Sequence, residues 1–500
     1  MKESKYFMGI DLGTQSVRVV IADISGNVLN SDEQAYETLY PQAGWAEQRP
    51  SDWWQCLNAA MANVLKNTSM GLRYSICAVS VCATSPTILP VDENCEALTN
   101  AIMWMDNRAT EETAAVNATR HHVLEYCGGE DSVEWTIPKM LWIKNHQPEI
   151  YQRAYKIIEQ EDYINYRLCK KFTGALCQAA CKAHYVGCEG GWSEDFFNQV
   201  GLSDYRDKMV LDVTRVGEVL GTIDREFAEK YDLNPEMLVV QGGIDAHIGM
   251  LGLGVDRAGK MAMIMGTSFV QLCLSEQKLH LDGLWGPYDE PVVEKAWLLE
   301  GGQSSAGSIV KWYMREFGIA EMDNPYAYMN EQVEKIAPGA EGLIALDFFQ
   351  GNRTPYKDPN AKGMIYGLTL SHTKAHIYRA LLEAVAFGTK NIIDSFEKNG
   401  STVDTIVGCG GVTKDKVWMQ IISDVTGKPI IVTEDAGASA LGCAIVAAVG
   451  AKVYSNFEEA TRGMVKEAYV VEPRPEITAV YSKIFEKYVA LYQAVKSVMD

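Results

Sequence analysis

Apolar residues in this chain come in short runs that end on glycine. Near the start, an apolar segment runs into Gly9-Ile10-Asp11-Leu12-Gly13-Thr14, and Ser16-Val17-Arg18-Val19-Val20-Ile21-Ala22-Asp23 follows. This predicts strand, tight glycine turn, strand, with a second turn at Ser25-Gly26-Asn27. The run from Ile76 to Ala83 is continuously apolar, which is typical of a buried strand. Pro138 to Lys144 predicts a helix with proline in its first turn. Ile157-Ile158 predicts a strand, and Asp162 to Leu168 a helix after it.

The pattern restarts at Val239-Val240-Gln241-Gly242-Gly243-Ile244-Asp245, a strand running into a glycine pair and then a carboxylate. Met261 to Leu272, with Gly266-Thr267 in its middle, again predicts strand, turn, strand. Its methionines suit apolar strand packing better than metal binding. The second half thus echoes the opening hairpin of the first, and the boundary falls near residue 250, giving lobes 1–250 and 251–500. Ile406 to Val412 predicts a strand ending in glycines, with a helix at roughly Asp415 to Thr426. Ala436 to Gly442 opens a helix of small residues, which permits close backbone approach. Pro475 to Val498 has helical periodicity and predicts a packing helix without chemistry.

Composition narrows the classes. With 500 residues, two domains are expected. A hydrophobic content of 47% and a charged content of 22% suit a folded, soluble protein. A formal net charge of −20 argues against sequence-independent nucleic-acid binding and against anionic membranes, but not against a phosphate ligand. The opening Met1-Lys2-Glu3-Ser4-Lys5 has no apolar leader, and no uninterrupted apolar run approaches ~18 residues. A cytoplasmic protein with reduced thiols is expected. Cys177, Cys181 and Cys188 lack paired metal-ligand spacing and read as small buried thiols.

The candidate chemistry is phosphoryl transfer. Backbone N–H groups of the Gly13-Thr14 turn can point at phosphate oxygens, and the Thr14 hydroxyl adds a donor. Asp11 would repel phosphate, so its expected task is to hold Mg²⁺ through water. Gly266-Thr267 offers a second phosphate turn. Gly410-Gly411, ahead of a helix, gives a side-chain-free wall for an adenine ring. Asp245 ends a strand and is free to take a proton, although sequence alone also allows it to be a helix N-cap. Alignment, Mg²⁺ and a base for the acceptor hydroxyl are what phosphoryl transfer needs. Neither a Walker A pattern nor a protein-kinase catalytic loop is present.

Seven segments in order along the chain carry a resemblance. They are Gly9 to Thr14, Pro41 to Gln48, Ile102 to Arg108, Gly242 to Asp245, Gly266 to Ser268, Gly363 to Thr369 and Cys409 to Gly411. Together the sequence resembles the FGGY carbohydrate kinases, within the actin/hexokinase-like ATPases. The resemblance implies a two-lobed α/β fold of the ribonuclease H-like kind with a cleft between the lobes. It implies MgATP as co-substrate, Asp245 as catalytic base, and Asp11 and Asp245 at the metal. It implies Asp11, Gly13, Thr14, Gly266 and Thr267 at the phosphates, and Gly410 and Gly411 beside adenosine.

For the sugar, the candidates in the first lobe are Thr84, Ser85, Trp104, Asp106, Glu134 and Trp135, because polyol recognition needs polar groups and an aromatic face. Ser85-Pro86 stands where xylulokinases usually carry Met-His, and glycerol kinases carry Arg-Glu nearby. Three stretches are similar to ribulokinases: Glu134 to Lys139, Cys181 to Tyr185 with Lys182, and Leu299 to Ser304 with Glu300. Gly351 to Pro355 matches the ketopentose branch. Phe269-Val270-Gln271 departs from the ribulokinase pattern. The resemblance implies a ketopentose, ribulose before xylulose, with erythritol or glycerol as alternatives. An actin-like ATPase and a silent sugar sensor are the competing classes. His247 reads as a satisfied histidine at a helix start, and His121-His122 as a solvated helix surface. A small-molecule sugar is the expected partner, and a homodimer is left open.

Overall fold

The computed structural model describes residues 5–279, 283–434 and 437–499. The opening hairpin seeds a six-stranded sheet. Strand β2 (Ser16–Asp23) pairs antiparallel with both β1 (Tyr6–Leu12) and β3 (Val28–Ala35). Strand β4 (Ile76–Ala83) lies parallel to β1, and β6 (Leu238–Ile244) lies parallel to β4. Strand β5 (Val219–Thr222) closes that edge antiparallel, giving the order β5-β6-β4-β1-β2-β3.

The second half repeats this arrangement. Strands β7 (Gly259–Met265), β8 (Phe269–Ser275), β9 (Trp285–Asp289) and β10 (Trp297–Gln303) pair antiparallel. Strands β11 (Val403–Cys409) and β12 (Ile430–Thr433) follow parallel to β7, and β13 (Glu467–Val471) closes antiparallel. The order is β9-β10-β8-β7-β11-β12-β13. Without β9, each sheet is three antiparallel strands, two parallel ones and an antiparallel edge. The echo visible in the hairpins therefore extends across the whole sheet.

Seven helices position the site: α1 (Thr136–His146), α2 (Gln160–Cys169), α3 (Leu176–Lys182), α4 (Asp245–Gly252), α5 (Lys416–Thr426), α6 (Ala438–Gly450) and α7 (Pro475–Val495). Helix α6 is built of small residues, and three glycines need them. A Cβ on Gly9 would lie 2.0 Å from the Ala440 carbonyl oxygen, one on Gly252 1.9 Å from that of Ala438, and one on Gly442 2.1 Å from that of Ile248. A second-half helix thus seats directly on β1 and α4. Ala436, expected in this helix, lies outside the described residues, as do Met1 to Ser4. Helix α7 buries Tyr481, Tyr488 and Tyr492, as a packing helix should, and Met261, Met263 and Met265 are fully buried in the core.

Three expectations are corrected. The strand does not end at Gly242 and Gly243 but continues through them to Ile244. A Cβ on Gly242 would sit 1.8 Å from the Val81 carbonyl oxygen, and one on Gly243 2.9 Å from Cys177 Cβ, so both glycines serve close strand and helix approach. His121 is buried, and its Nδ1 accepts from Val123 N at 3.2 Å; only His122 is solvated. Cys188 is exposed, whereas Cys177 and Cys181 are buried. Among the described residues no helix is long and apolar enough to cross a membrane.

Candidate active site

Parallel pairing brings distant residues to one edge. Leu12 of β1 and Ile244 of β6 both stand opposite Ala83 of β4, so three strands end in register. The residues that follow, Gly13-Thr14, Thr84-Ser85 and Asp245, therefore emerge together, as ligand-binding residues do at the carboxyl ends of parallel strands. Asp245 is the first residue of α4, and its Oδ1 accepts from Ala246 N at 2.7 Å; the N-cap position belongs to Ile244. Asp11 and Asp245 are both half-buried. Burial raises Asp11 to about 6, against smaller opposing contributions from the Cys82 thiol and Arg18. Burial raises Asp245 to about 7, and the negative charge of Asp11 is the next largest cause. The two carboxylates lie close enough for the charge of one to act on the other.

The first turn is held firmly. Gln48 Nε2 donates to the Thr14 carbonyl at 2.7 Å, the Trp104 indole donates to Thr14 Oγ1 at 3.2 Å, and the Tyr36 hydroxyl donates to the Gly13 carbonyl. In the second sheet, Ile264 of β7 pairs with Cys409 of β11, so Gly266-Thr267 and Gly410-Gly411 likewise leave one edge together. Gly410 has φ 102°, and a Cβ there would lie 2.3 Å from the Met265 carbonyl oxygen. These turns border a cavity of about 680 Å³ lined by Gly266, Thr267, Tyr326, Asn330, Gly411 and Asp415. Asn330 Nδ2 donates to Asp415 Oδ1 at 3.0 Å, and Asn330 Oδ1 is buried without a hydrogen-bond partner.

A charged wall stands beside Asp245. Lys182 Nζ, at the end of α3, lies 3.4 Å from Glu300 Oε2 on β10. His247 Nε2 is 3.6 Å from the same oxygen, and Arg353 lies 3.7 Å from Glu300 Oε1 and 3.8 Å from Glu134. Burial pushes the Glu300 carboxyl up, but Lys182, His247 and Arg353 outweigh it and hold the group far below the usual carboxylate range. Burial pulls His247 down, yet the Cys177 thiolate and Glu300 together raise it to about 9. The charges of Lys182 and His247 also reach Asp245 and oppose its rise, which ties this wall to the carboxylate crevice.

Comparison with known proteins decides what such a site belongs to. Residues 6–252 match the N-terminal domain of the FGGY family of carbohydrate kinases, and residues 261–451 its C-terminal domain. The chain belongs to the FGGY family. An FGGY carbohydrate kinase domain-containing protein of Homo sapiens is 31% identical, with 98% of this chain and 97% of that protein covered. A ribulokinase of Halalkalibacterium halodurans is 32% identical, with 98% and 94% covered. The fold matches a xylulose kinase from Rhodospirillum rubrum with TM-score 0.90 at 23% identity, over 99% of this chain and all of that one and, with TM-score 0.85 at 22% identity, a glycerol kinase of Plasmodium falciparum, over 97% and 98%. The chain is accordingly a phosphotransferase with the two-lobed actin/hexokinase-like fold, in a family whose kinases use ATP.

Within this FGGY kinase the first-lobe candidates separate. Ser85 Oγ is buried without a hydrogen-bond partner. Glu134 joins the charged wall through Arg353. Trp135 is buried against Trp285, Tyr288 and His184, with Lys182 Nζ 5.2 Å from its ring centroid. Trp104 turns its polar edge to Thr14. Thr84 Oγ1 is engaged by Thr87 and Gln160. Asp106 is a correction. It is fully enclosed, and its oxygens take hydrogen bonds from Ala46 N and from Arg108, so it fixes its own loop and has no oxygen free for a sugar hydroxyl. Sequence reasoning did not place Arg353, Tyr288 or Asn330 at a site, and it read His247 as merely satisfied. The place of Arg353 within the Gly351 to Pro355 segment, similar to the ketopentose branch, was its signal.

Proposed function

We propose that this kinase transfers the γ-phosphoryl of MgATP to a terminal hydroxyl of a ketopentose, ribulose before xylulose. The observation that carries the reading is the Lys182–Glu300–Arg353 wall next to Asp245, because it sets fixed charges around the space where an acceptor hydroxyl would meet the base. The ribulokinase of H. halodurans, similar over nearly the full chain, supports ribulose. The enclosed Asn330 oxygen supports a nucleotide whose base carries an exocyclic amine, as adenine does.

Asp245, raised to about 7, suits a base that works near neutral pH. In the proposed step the acceptor oxygen bonds to the γ-phosphorus, the bond from that phosphorus to the β,γ-bridging oxygen breaks, ADP leaves, and the hydroxyl proton moves to Asp245. Amides of the Gly13-Thr14 and Gly266-Thr267 turns orient the phosphates from opposite lobes. Asp11 and Asp245 fit a hard cation, since burial and mutual repulsion leave both short of positive charge. Mg²⁺ held there would neutralise the phosphate chain. In this assignment residues 1–250 carry the first turn and most sugar contacts. Residues 251–500 carry the second turn and the adenosine site, and also lend Glu300 and Arg353 to the sugar. The use of ATP and the free thiols support action in the cytoplasm.

A panel of ketopentoses, tetritols and hexuloses with coupled ADP detection tests this. The highest kcat/KM is expected for ribulose, with xylulose next. A tetritol or glycerol at the top would overturn the substrate assignment, and ADP formation indifferent to any sugar would point to an actin-like ATPase.

A further inference from the structure

Cys177 and Cys181 lie one helical turn apart on α3 and point the same way. Helix α4 places the His247 ring against them, with Nδ1 3.5 Å from Cys177 Sγ and 3.7 Å from Cys181 Sγ. The three donor atoms lie within 4.8 Å of one another, and all three residues are buried. A tetrahedral zinc ion has Zn–S near 2.3 Å and Zn–N near 2.0 Å, which sets its S···N edges at about 3.5 Å. Both nitrogen–sulfur separations already match that edge.

The other ring nitrogen supplies an independent sign. His247 Nε2 faces Glu300 Oε2 at 3.6 Å. A histidine with one nitrogen toward a metal and the other toward a carboxylate is the usual arrangement in metalloproteins, because the carboxylate fixes the tautomer and the ring plane. Charge agrees as well. Two thiolates, a neutral imidazole and a divalent cation sum to zero, so the filled site suits its buried surroundings. Gly243 makes room for this cluster, since a Cβ there would press on Cys177 Cβ and Sγ at 2.9 and 3.0 Å.

We propose that Cys177, Cys181 and His247 bind a thiophilic divalent cation of the zinc class, separate from the Mg²⁺ expected at Asp11 and Asp245. Binding releases two protons from the Cys177–Cys181–His247 cluster and holds the imidazole with its Nε2–H toward Glu300. The cation would therefore brace one wall of the candidate sugar pocket. That consequence rests on the ketopentose reading; the site itself does not.

The test uses the full chain, reduced, in excess Mg²⁺ so that the carboxylate crevice is saturated. Cd²⁺ titration should produce a thiolate-to-metal charge-transfer band that saturates at one ion per chain. The band should vanish in Cys177→Ser and in Cys181→Ser, and persist in Asp245→Asn. Glu300→Gln should keep the band while affinity falls about 10–100-fold, the usual cost of losing a carboxylate behind a metal-bound histidine. X-ray absorption on zinc-loaded wild-type chain should show two sulfur scatterers at about 2.3 Å and nitrogen at about 2.0 Å, and this measurement needs no variant to fold.

An oxygen-only zinc environment, or no charge-transfer band, would overturn the proposal. So would a band that survives Cys177→Ser but is lost in Cys82→Ser, because Cys82 and Cys443 form the other buried thiol pair. A chain that binds Cd²⁺ as expected but phosphorylates no ketopentose would support this site and refute the sugar reading.

Discussion

Asn330 illustrates how one side chain can carry a nucleotide preference. Its Nδ2 is fixed on Asp415, its oxygen is buried without a partner, and the residue lines the cavity that Gly266, Thr267 and Gly411 border. An adenine 6-amine would satisfy that acceptor, whereas guanine carries a carbonyl oxygen at that ring position. Asn330→Ala is expected to raise KM for ATP by about 10-fold and to narrow the preference for ATP over GTP, with kcat little changed. Steady-state kinetics with both nucleotides checks this, and an unchanged preference would remove Asn330 from base recognition. At the same scale, the residues whose backbone setting the sequence indicates are those with local reasons. Asp245 follows a strand end, and Gly410 must adopt a positive φ against the Met265 carbonyl. Asp106 misled because a carboxylate in a conspicuous motif looks the same whether it faces a ligand or Arg108.

Elements were legible wherever apolar spacing alone decides. The run Ile76–Ala83 is a strand buried along nearly its whole length, and α5 starts directly after Asp415, whose carboxylate caps Trp418 N at 3.0 Å. The glycine pair in β6 was not legible, since its reason is the backbone of β4 and the body of Cys177. The start of α2 makes a physical prediction. Glu159 accepts from Thr87 N at 3.0 Å, and its own N–H donates to Asp162 Oδ2 at 3.1 Å in a capping box. Burial raises Glu159 to about 8 and Asp162 to about 7, from ordinary values of 4.5 and 3.8. The folded state therefore holds protons that the unfolded chain has released. Their stabilisation is complete below the ordinary values and is lost as pH climbs through 7 to 8. The denaturant midpoint should fall between pH 5 and pH 8, more steeply in wild type than in Glu159→Gln. Equal slopes would contradict the assignment.

Across the whole molecule, repetition of one sheet plan explains why two turns far apart in sequence can serve one nucleotide. Parallel strands end together, so β1, β4 and β6 present Gly13-Thr14, Ser85 and Asp245, while β7 and β11 present Gly266-Thr267 and Gly410-Gly411. The repeat was readable from the two hairpins. What could not be read were pairings across long separations, such as His247 with Cys177 or Arg353 with Glu134, because nothing local marks them. The central claim is that these turns converge on a carboxylate that takes the acceptor's proton. Ketopentose-dependent ADP formation by Asp245→Asn, measured beside its nucleotide affinity, tests it most directly. Unchanged nucleotide binding and turnover lower by about 10²–10⁴-fold are expected. Turnover close to wild type would contradict it.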